Sequence, residues 1–115
     1  MKLYNWSKMD AETLSANITR RAIFGENLNI ARVILKKGTV VPEHKHEAEQ
    51  ISLMISGELE MNLNGQISVL HPGDILVIPA WLPHSARAIE ESDAIDIFSP
   101  RREDWLRGDD QYLRG

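Results

Sequence analysis

Between Ile18 and Ser99 the chain is cut into short apolar segments by closely spaced turn residues, which leaves no room for long helices. Ile18–Phe24 reads as a strand, Gly25-Glu26-Asn27 as a turn, and Leu28–Leu35 as a second strand. Lys36-Lys37-Gly38 turns again, and Val40–Val41 leads into a histidine-bearing segment. Gln50–Ile55 and Glu58–Leu63 read as strands on either side of a tight Ser56-Gly57 turn. Asn64-Gly65 is the strongest hairpin signal, because a type I′ turn needs φ > 0 at both positions. Ile67–Leu70, Ile75–Ile78, His84–Ile89 and Ala94–Ser99 follow, separated by turn-rich segments such as His71-Pro72-Gly73-Asp74 and Pro79-Ala80-Trp81-Leu82-Pro83. This spacing predicts an all-β sandwich or barrel. Helical signals are few. Asp10–Leu14 reads as a helical turn, and Ser99-Pro100 as the N-cap and first position of a short helix around Arg102–Leu106, followed by a polar tail.

Alternation within the strands gives the barrel an inside and an outside. Gln50, Ser52, Met54 and Ser56 share one face, while Ile51, Leu53 and Ile55 share the other. Ala94, Asp96 and Phe98 likewise oppose Ile95 and Ile97. A partly polar face suits the interior of a barrel that holds a ligand. The apolar outer face then needs cover, from the N-terminal segment and from a second subunit, so a homodimer is expected.

The length of 115 residues fits a single domain, 1–115. A net charge of −4 with no basic stripe argues against nucleic acid as a partner. The absence of cysteine excludes disulfides and thiolate chemistry. No apolar run approaches the ~20 residues of a membrane helix, and the first residues carry no secretory pattern, so no membrane partner and a cytoplasmic location are expected. The expected partner is a small molecule.

His44 and His46 stand one residue apart, so on a strand both imidazoles reach one point in space. Gln50 shares their parity, and His84 arrives from a later strand. These four residues offer three nitrogens and one oxygen to a divalent metal. A lone histidine is more often an ordinary turn or surface residue, and His71, just before Pro-Gly, is read that way. The His-x-His pair with a third histidine is not. Glu43 and Glu47 read as solvated loop residues, and Glu49 is the substitute donor should Gln50 not bind. Asp96 is the other unusual residue, a carboxylate flanked by isoleucine on both sides. It reads equally as a structural Asp paired with an Arg, or as a general acid/base in the cavity with Phe98 as an apolar wall.

Gly38-x5-His44-x-His46-x3-Gln50-x6-Gly57 resembles the first motif of the cupin family, with Gln50 where cupins usually carry Glu. Gly73-x5-Pro79-x-Trp81-x2-His84-x3-Ala88 resembles the second, with Trp81 in place of Gly and Ala88 in place of Asn. The resemblance covers residues 18–99. It implies a cupin double-stranded β-helix, a jelly-roll barrel, with one divalent metal inside. Four neutral donors would leave the ion's charge uncompensated and favour an anionic ligand. Imidazole-rich sites suit Zn, Ni, Fe or Cu, and the expected ion stays open among the divalent metals, Zn, Ni, Fe or Mn.

Asp96-Ile97-Phe98-Ser99-Pro100-Arg101-Arg102-Glu103-Asp104-Trp105-Leu106 resembles the C-terminal signature of the pectin-degradation cupins, which open the ring of 4,5-unsaturated uronates. Ile18–Asn27 is similar to the same group. That resemblance implies a metal held by His44, His46, Gln50 and His84, and a site completed by Asp96, Phe98 and Arg102, with Arg101 as the alternative arginine. It implies a uronate ring-opening isomerase acting on a sugar acid. Asp96 would move protons, Phe98 would pack on the sugar, and Arg102 would swing over the mouth and grip the carboxylate as a bidentate pair. A non-catalytic sugar-acid-binding module, and another cupin enzyme such as a dioxygenase or sugar isomerase, are the competing readings.

Overall fold

The computed structural model describes residues 1–114. Ten strands form two antiparallel sheets. β1 (Glu12–Ser15), β2 (Ile18–Phe24), β3 (Asn29–Leu35), β10 (Ser92–Ser99), β5 (Glu49–Ser56) and β8 (Ile75–Ile78) lie in that order in the larger sheet. The smaller sheet has the order β4 (Val40–His44), β9 (His84–Ala88), β6 (Leu59–Leu63) and β7 (Gln66–Leu70). The two sheets close into a jelly-roll barrel. Its main core joins Leu14, Ile18, Leu35, Val41, Met54, Leu59, Met61, Leu70 and Ile78 from both sheets.

The alternation places each face as expected. Gln50, Ser52 and Met54 are buried inside, and Ala94, Asp96 and Phe98 sit directly across from Met54, Ser52 and Gln50. The outer face of the larger sheet carries two rows in register. Ile23, Ile30, Ile97, Ile51 and Val77 form one, and Ile95, Leu53 and Ile75 form the other, ending at Arg32. Ile75 and Val77 lie at its edge strand, 63% and 52% exposed.

Two glycine-bearing turns set the corners. Asn64 and Gly65 take φ of 50° and 95° between β6 and β7, as a type I′ hairpin requires. Gly57 takes φ of 92° between β5 and β6, where a Cβ would overlap the Glu91 carbonyl oxygen and crowd Ser92.

Both chain ends depart from the sequence reading. Asp10–Leu14 is not helical. A single 3-10 turn forms earlier, at Trp6–Lys8, and Glu12–Ser15 pairs with β2 as a strand. Pairing satisfies the backbone and places Leu14 in the core, which outweighs a weak helical preference. Ser99 is not the cap of the C-terminal helix, because it still pairs with Glu49 at the end of β10. Helix α1 runs Glu103–Arg107 with Arg102 as its N-cap residue, and the Arg102 backbone N–H donates to Asn29 Oδ1 at 2.7 Å. Glu103 and Asp104 suit its positive end, and Gly108 closes it at φ of 76°.

The segment beyond is no free tail. A second short helix, α2 (Gln111–Arg114), docks on the barrel. Fully buried Asp110 accepts from Arg20 Nη1 at 2.8 Å and from Arg114 Nε at 2.7 Å, and Leu113 packs against the core. The burial of Leu113 and the pairing of Asp110 hold this strap, and neither is visible as a periodic pattern.

Candidate metal centre and active site

His44 ends β4 and His84 opens β9, directly opposite in the ladder. His46 lies just past the end of β4 and not on a strand shared with His44, ahead of the Glu47-Ala48 bend, and Gln50 faces inward from β5. The strand pairing sets His44 beside His84, and the connection after β4 turns His46 toward them, which brings three imidazoles together. Their ligand atoms lie within 4.8 Å of one another.

Each imidazole is held by a backbone carbonyl. The Nδ1 atoms of His44, His46 and His84 approach the carbonyls of Pro42, Ala48 and Leu82 at 2.9, 2.8 and 2.8 Å. A ring nitrogen beside a carbonyl must carry the proton, so each Nε2 keeps a lone pair. Burial disfavours the charged ring and pushes His44 and His46 down to about 4, with the Arg102 guanidinium adding to the effect. His84 is lowered for the same first reason. All three are thus neutral, lone-pair donors at ordinary pH.

That donor set fits a cation. His84 Nε2 is buried with no hydrogen-bond partner, a costly arrangement for a polar atom. His46 Nε2 lies 3.2 Å from Gln50 Oε1. Both atoms are acceptors in this tautomer, so a positive ion resolves a contact that no hydrogen does. Fixing Nδ1–H on a carbonyl is also how metal-binding imidazoles are oriented. Glu49, the possible substitute for Gln50, is exposed and faces away. His71 sits at the surface with Glu58 and Asp74, apart from the cluster.

The cavity beside the histidines encloses about 80 Å³. One water needs only ~10–15 Å³ by this measure, so the cavity has room for a small ligand. Gln50, Ser52, Asp96, Phe98, Arg102, Trp105 and Tyr112 contribute to its wall. Burial raises the Asp96 carboxyl, while hydrogen bonds from Ser52 and Gln50 and the Arg102 charge oppose the rise. Phe98 packs edge-on against His46 and Trp105, with ring centroids 5.7 and 5.0 Å apart.

Arg102 departs from the expected mobile arm. Only 4% exposed, it lies over the Phe98 and Trp105 rings at 5.0 and 4.9 Å. Its Nε and Nη2 hold Asp104 at 2.9 and 2.7 Å, and Nη2 also donates to Tyr112 Oη at 2.8 Å. The bidentate edge is therefore occupied. Among the described residues Nη1 has no partner, which leaves that end for a ligand. Arg101 points elsewhere, to Glu103 and the Gly25 carbonyl.

Sequence reading missed three contributors. Tyr112 stacks on His44 with ring centroids 4.2 Å apart, Trp105 backs Phe98, and Ser52 links Gln50 to Asp96. Only Ser52 had a signal, its parity with Gln50. Trp81, which replaces a motif glycine, takes φ of 63° and donates its backbone N–H to the His46 carbonyl at 2.8 Å.

A jelly roll with this imidazole cluster at its centre is the architecture of one family, and the family model for the cupin domain matches residues 31–98. The chain belongs to the cupin family, and within it resembles the pectin-degradation cupins. It is 32% identical over 98 residues to the pectin degradation protein KdgF of Dickeya dadantii, across 83% of this chain and 89% of that one. The solved structure of KdgF from a Halomonas species superposes with a TM-score of 0.86 at 33% identity, covering 91% of this chain and all of that one. An RmlC-like cupin from Shewanella frigidimarina superposes equally well, TM-score 0.86, at 28% identity over 91% of this chain and 96% of that one.

Proposed function

We propose that the protein is a metal-dependent enzyme that opens the ring of 4,5-unsaturated uronate monosaccharides from pectin or alginate breakdown. The observation that carries this reading is one small cavity lined together by the imidazoles of His44 and His84, the half-buried Asp96 carboxyl and Arg102, with His46 in the same imidazole cluster. The likeness to the two KdgF proteins supports it.

His44, His46, Gln50 and His84 would hold the ion. When bound, a divalent metal supplies Lewis-acid stabilisation to an oxygen on which negative charge develops. Asp96 takes the proton from the C1 hydroxyl of the cyclic hemiacetal. The C1–ring-oxygen bond then breaks to give an aldehyde, and its electron pair goes to the former ring oxygen, which is conjugated with C5=C4 as an enolate. Asp96 returns a proton toward C4, which leaves the linear 5-keto acid. The partnerless Nη1 of Arg102 binds the C6 carboxylate end-on, and Phe98 packs on the sugar carbons. No redox partner is needed.

Treating the purified protein with a chelator is expected to abolish the loss of unsaturated-uronate absorbance, and added divalent metal to restore it. His44→Ala is expected to lose metal by elemental analysis yet remain folded, because the barrel is held by apolar burial. Full activity after verified metal removal would overturn the metal-dependent reading. Turnover that requires O₂ would favour a dioxygenase instead.

The two in-register apolar rows on the larger sheet support a homodimer. Light scattering at micromolar concentration is expected to give twice the 13.1 kDa chain mass. A monomer mass would argue that this face needs no subunit cover.

A further inference from the structure

A glutamine amide is nearly symmetric in shape, so it can turn either its oxygen or its nitrogen toward a cavity. Only the oxygen can bind a cation. Whatever orients Gln50 therefore decides whether the cluster has a fourth donor.

Here a serine stands in the position to decide it. Ser52 is buried on the same face of β5, two residues from Gln50 and directly across from Asp96. Its Oγ–H donates to Asp96 Oδ1 at 2.6 Å. A hydroxyl has one proton, so with that proton given away Ser52 can only accept. The group it meets must be a donor, and Gln50 Nε2 donates to it at 2.9 Å. The amide oxygen is then forced to the opposite side, toward His46 Nε2 at 3.2 Å. A glutamate at position 50 would set a second acceptor against Ser52 with no proton between them. The single Ser52 proton could then serve only one of the two carboxylates, unless one of them were itself protonated.

We propose that Ser52 is the positioning residue of this centre: its hydroxyl turns the Gln50 amide oxygen toward the histidines and ties the Asp96 carboxyl to the same bonded chain. This rests on the reading of the histidine cluster as a metal site. It also gives a reason for glutamine where the motif usually carries glutamate. Ser52 acts through Gln50 and Asp96.

The test is titration of the metal-free protein with Co²⁺, followed by visible absorption, which reports affinity and coordination apart from activity. Ser52→Ala is expected to bind Co²⁺ roughly 10–100-fold more weakly, the range for losing an outer-shell partner, and to show an altered visible band. Ser52→Thr keeps the hydroxyl and is expected to restore both. Ser52→Val has the shape of threonine without the hydroxyl, so it decides the matter if the alanine variant fails to fold. Equal affinity and equal spectra for the threonine and valine variants would overturn the role of Ser52 alone. Wild-type protein that takes up no Co²⁺ would overturn the metal reading and this inference together.

Discussion

Asp96→Asn is expected to lower kcat on a 4,5-unsaturated uronate by roughly 10²–10⁴-fold, the range for losing a general acid–base. Asparagine keeps the size of the side chain, and its amide oxygen can still accept from Ser52, now at 2.6 Å from Asp96. What it lacks is a transferable proton. The environment suits that role, since burial raises the Asp96 carboxyl while the Ser52 hydrogen bond holds it in place. Arg102→Ala makes the companion measurement. It is expected to raise KM at least as much as it lowers kcat, because carboxylate binding is present in ground and transition states alike. The pair separates catalysis from binding: a sugar-acid-binding module would lose affinity with Arg102→Ala and barely respond to Asp96→Asn. Wild-type turnover by Asp96→Asn would return this residue to a structural role.

Gly57→Ala is expected to be the most damaging small substitution in the barrel. The residue sits at φ of 92°, and an added Cβ would meet backbone at Glu91 and Ser92, which cannot move aside without shifting the start of β10. The left-handed conformation costs an L-residue ~1–2 kcal/mol, and forcing extra volume into a packed site costs a further ~1–3 kcal/mol. For a domain of this size that corresponds to a fall in Tm of roughly 10 °C or more. Gly65→Ala is the control, since φ of 95° is similarly left-handed but nothing lies within 4 Å of the new carbon. It should show the smaller conformational cost alone. Equal thermal shifts for the two variants would mean that the Gly57 contact carries no weight.

The barrel side of the site was legible in the sequence for a geometric reason. Strand parity puts Gln50, Ser52 and Asp96 on the inner face, and the ladder sets His44 opposite His84, while His46 reaches the cluster from just past the end of β4, so most donors and the carboxyl could be named from spacing. The strap side was not. Arg20 looks like a solvent-facing residue of an ordinary strand, yet it is 2% exposed, because Asp110, 90 positions away, neutralises it and the Trp105 ring lies 4.0 Å beneath its guanidinium. Tyr112 belongs to a stretch that reads as polar tail, and its contact with His44 depends on that same buried pair. Contacts between such distant positions leave no period to read. What the sequence did not show is that Asp104, two residues on, holds the bidentate edge of Arg102.

Most of the cavity wall thus comes from two stretches of chain with separate histories open to them, with Leu14 and Arg20 added from the first two strands. The family-wide stretch, residues 31–98, carries the imidazoles, Gln50, Ser52 and Asp96. The opposite wall, Arg102, Trp105 and Tyr112, lies beyond it in a strap of little more than a dozen residues. A change at Trp105 or Tyr112 can reshape the space above the imidazoles while the Arg20–Asp110 pair keeps the strap fixed to the strands. Such a division allows ligand preference to diverge among relatives while the centre beneath stays fixed, and it marks the strap as the segment to exchange when a barrel of this kind is to be retargeted.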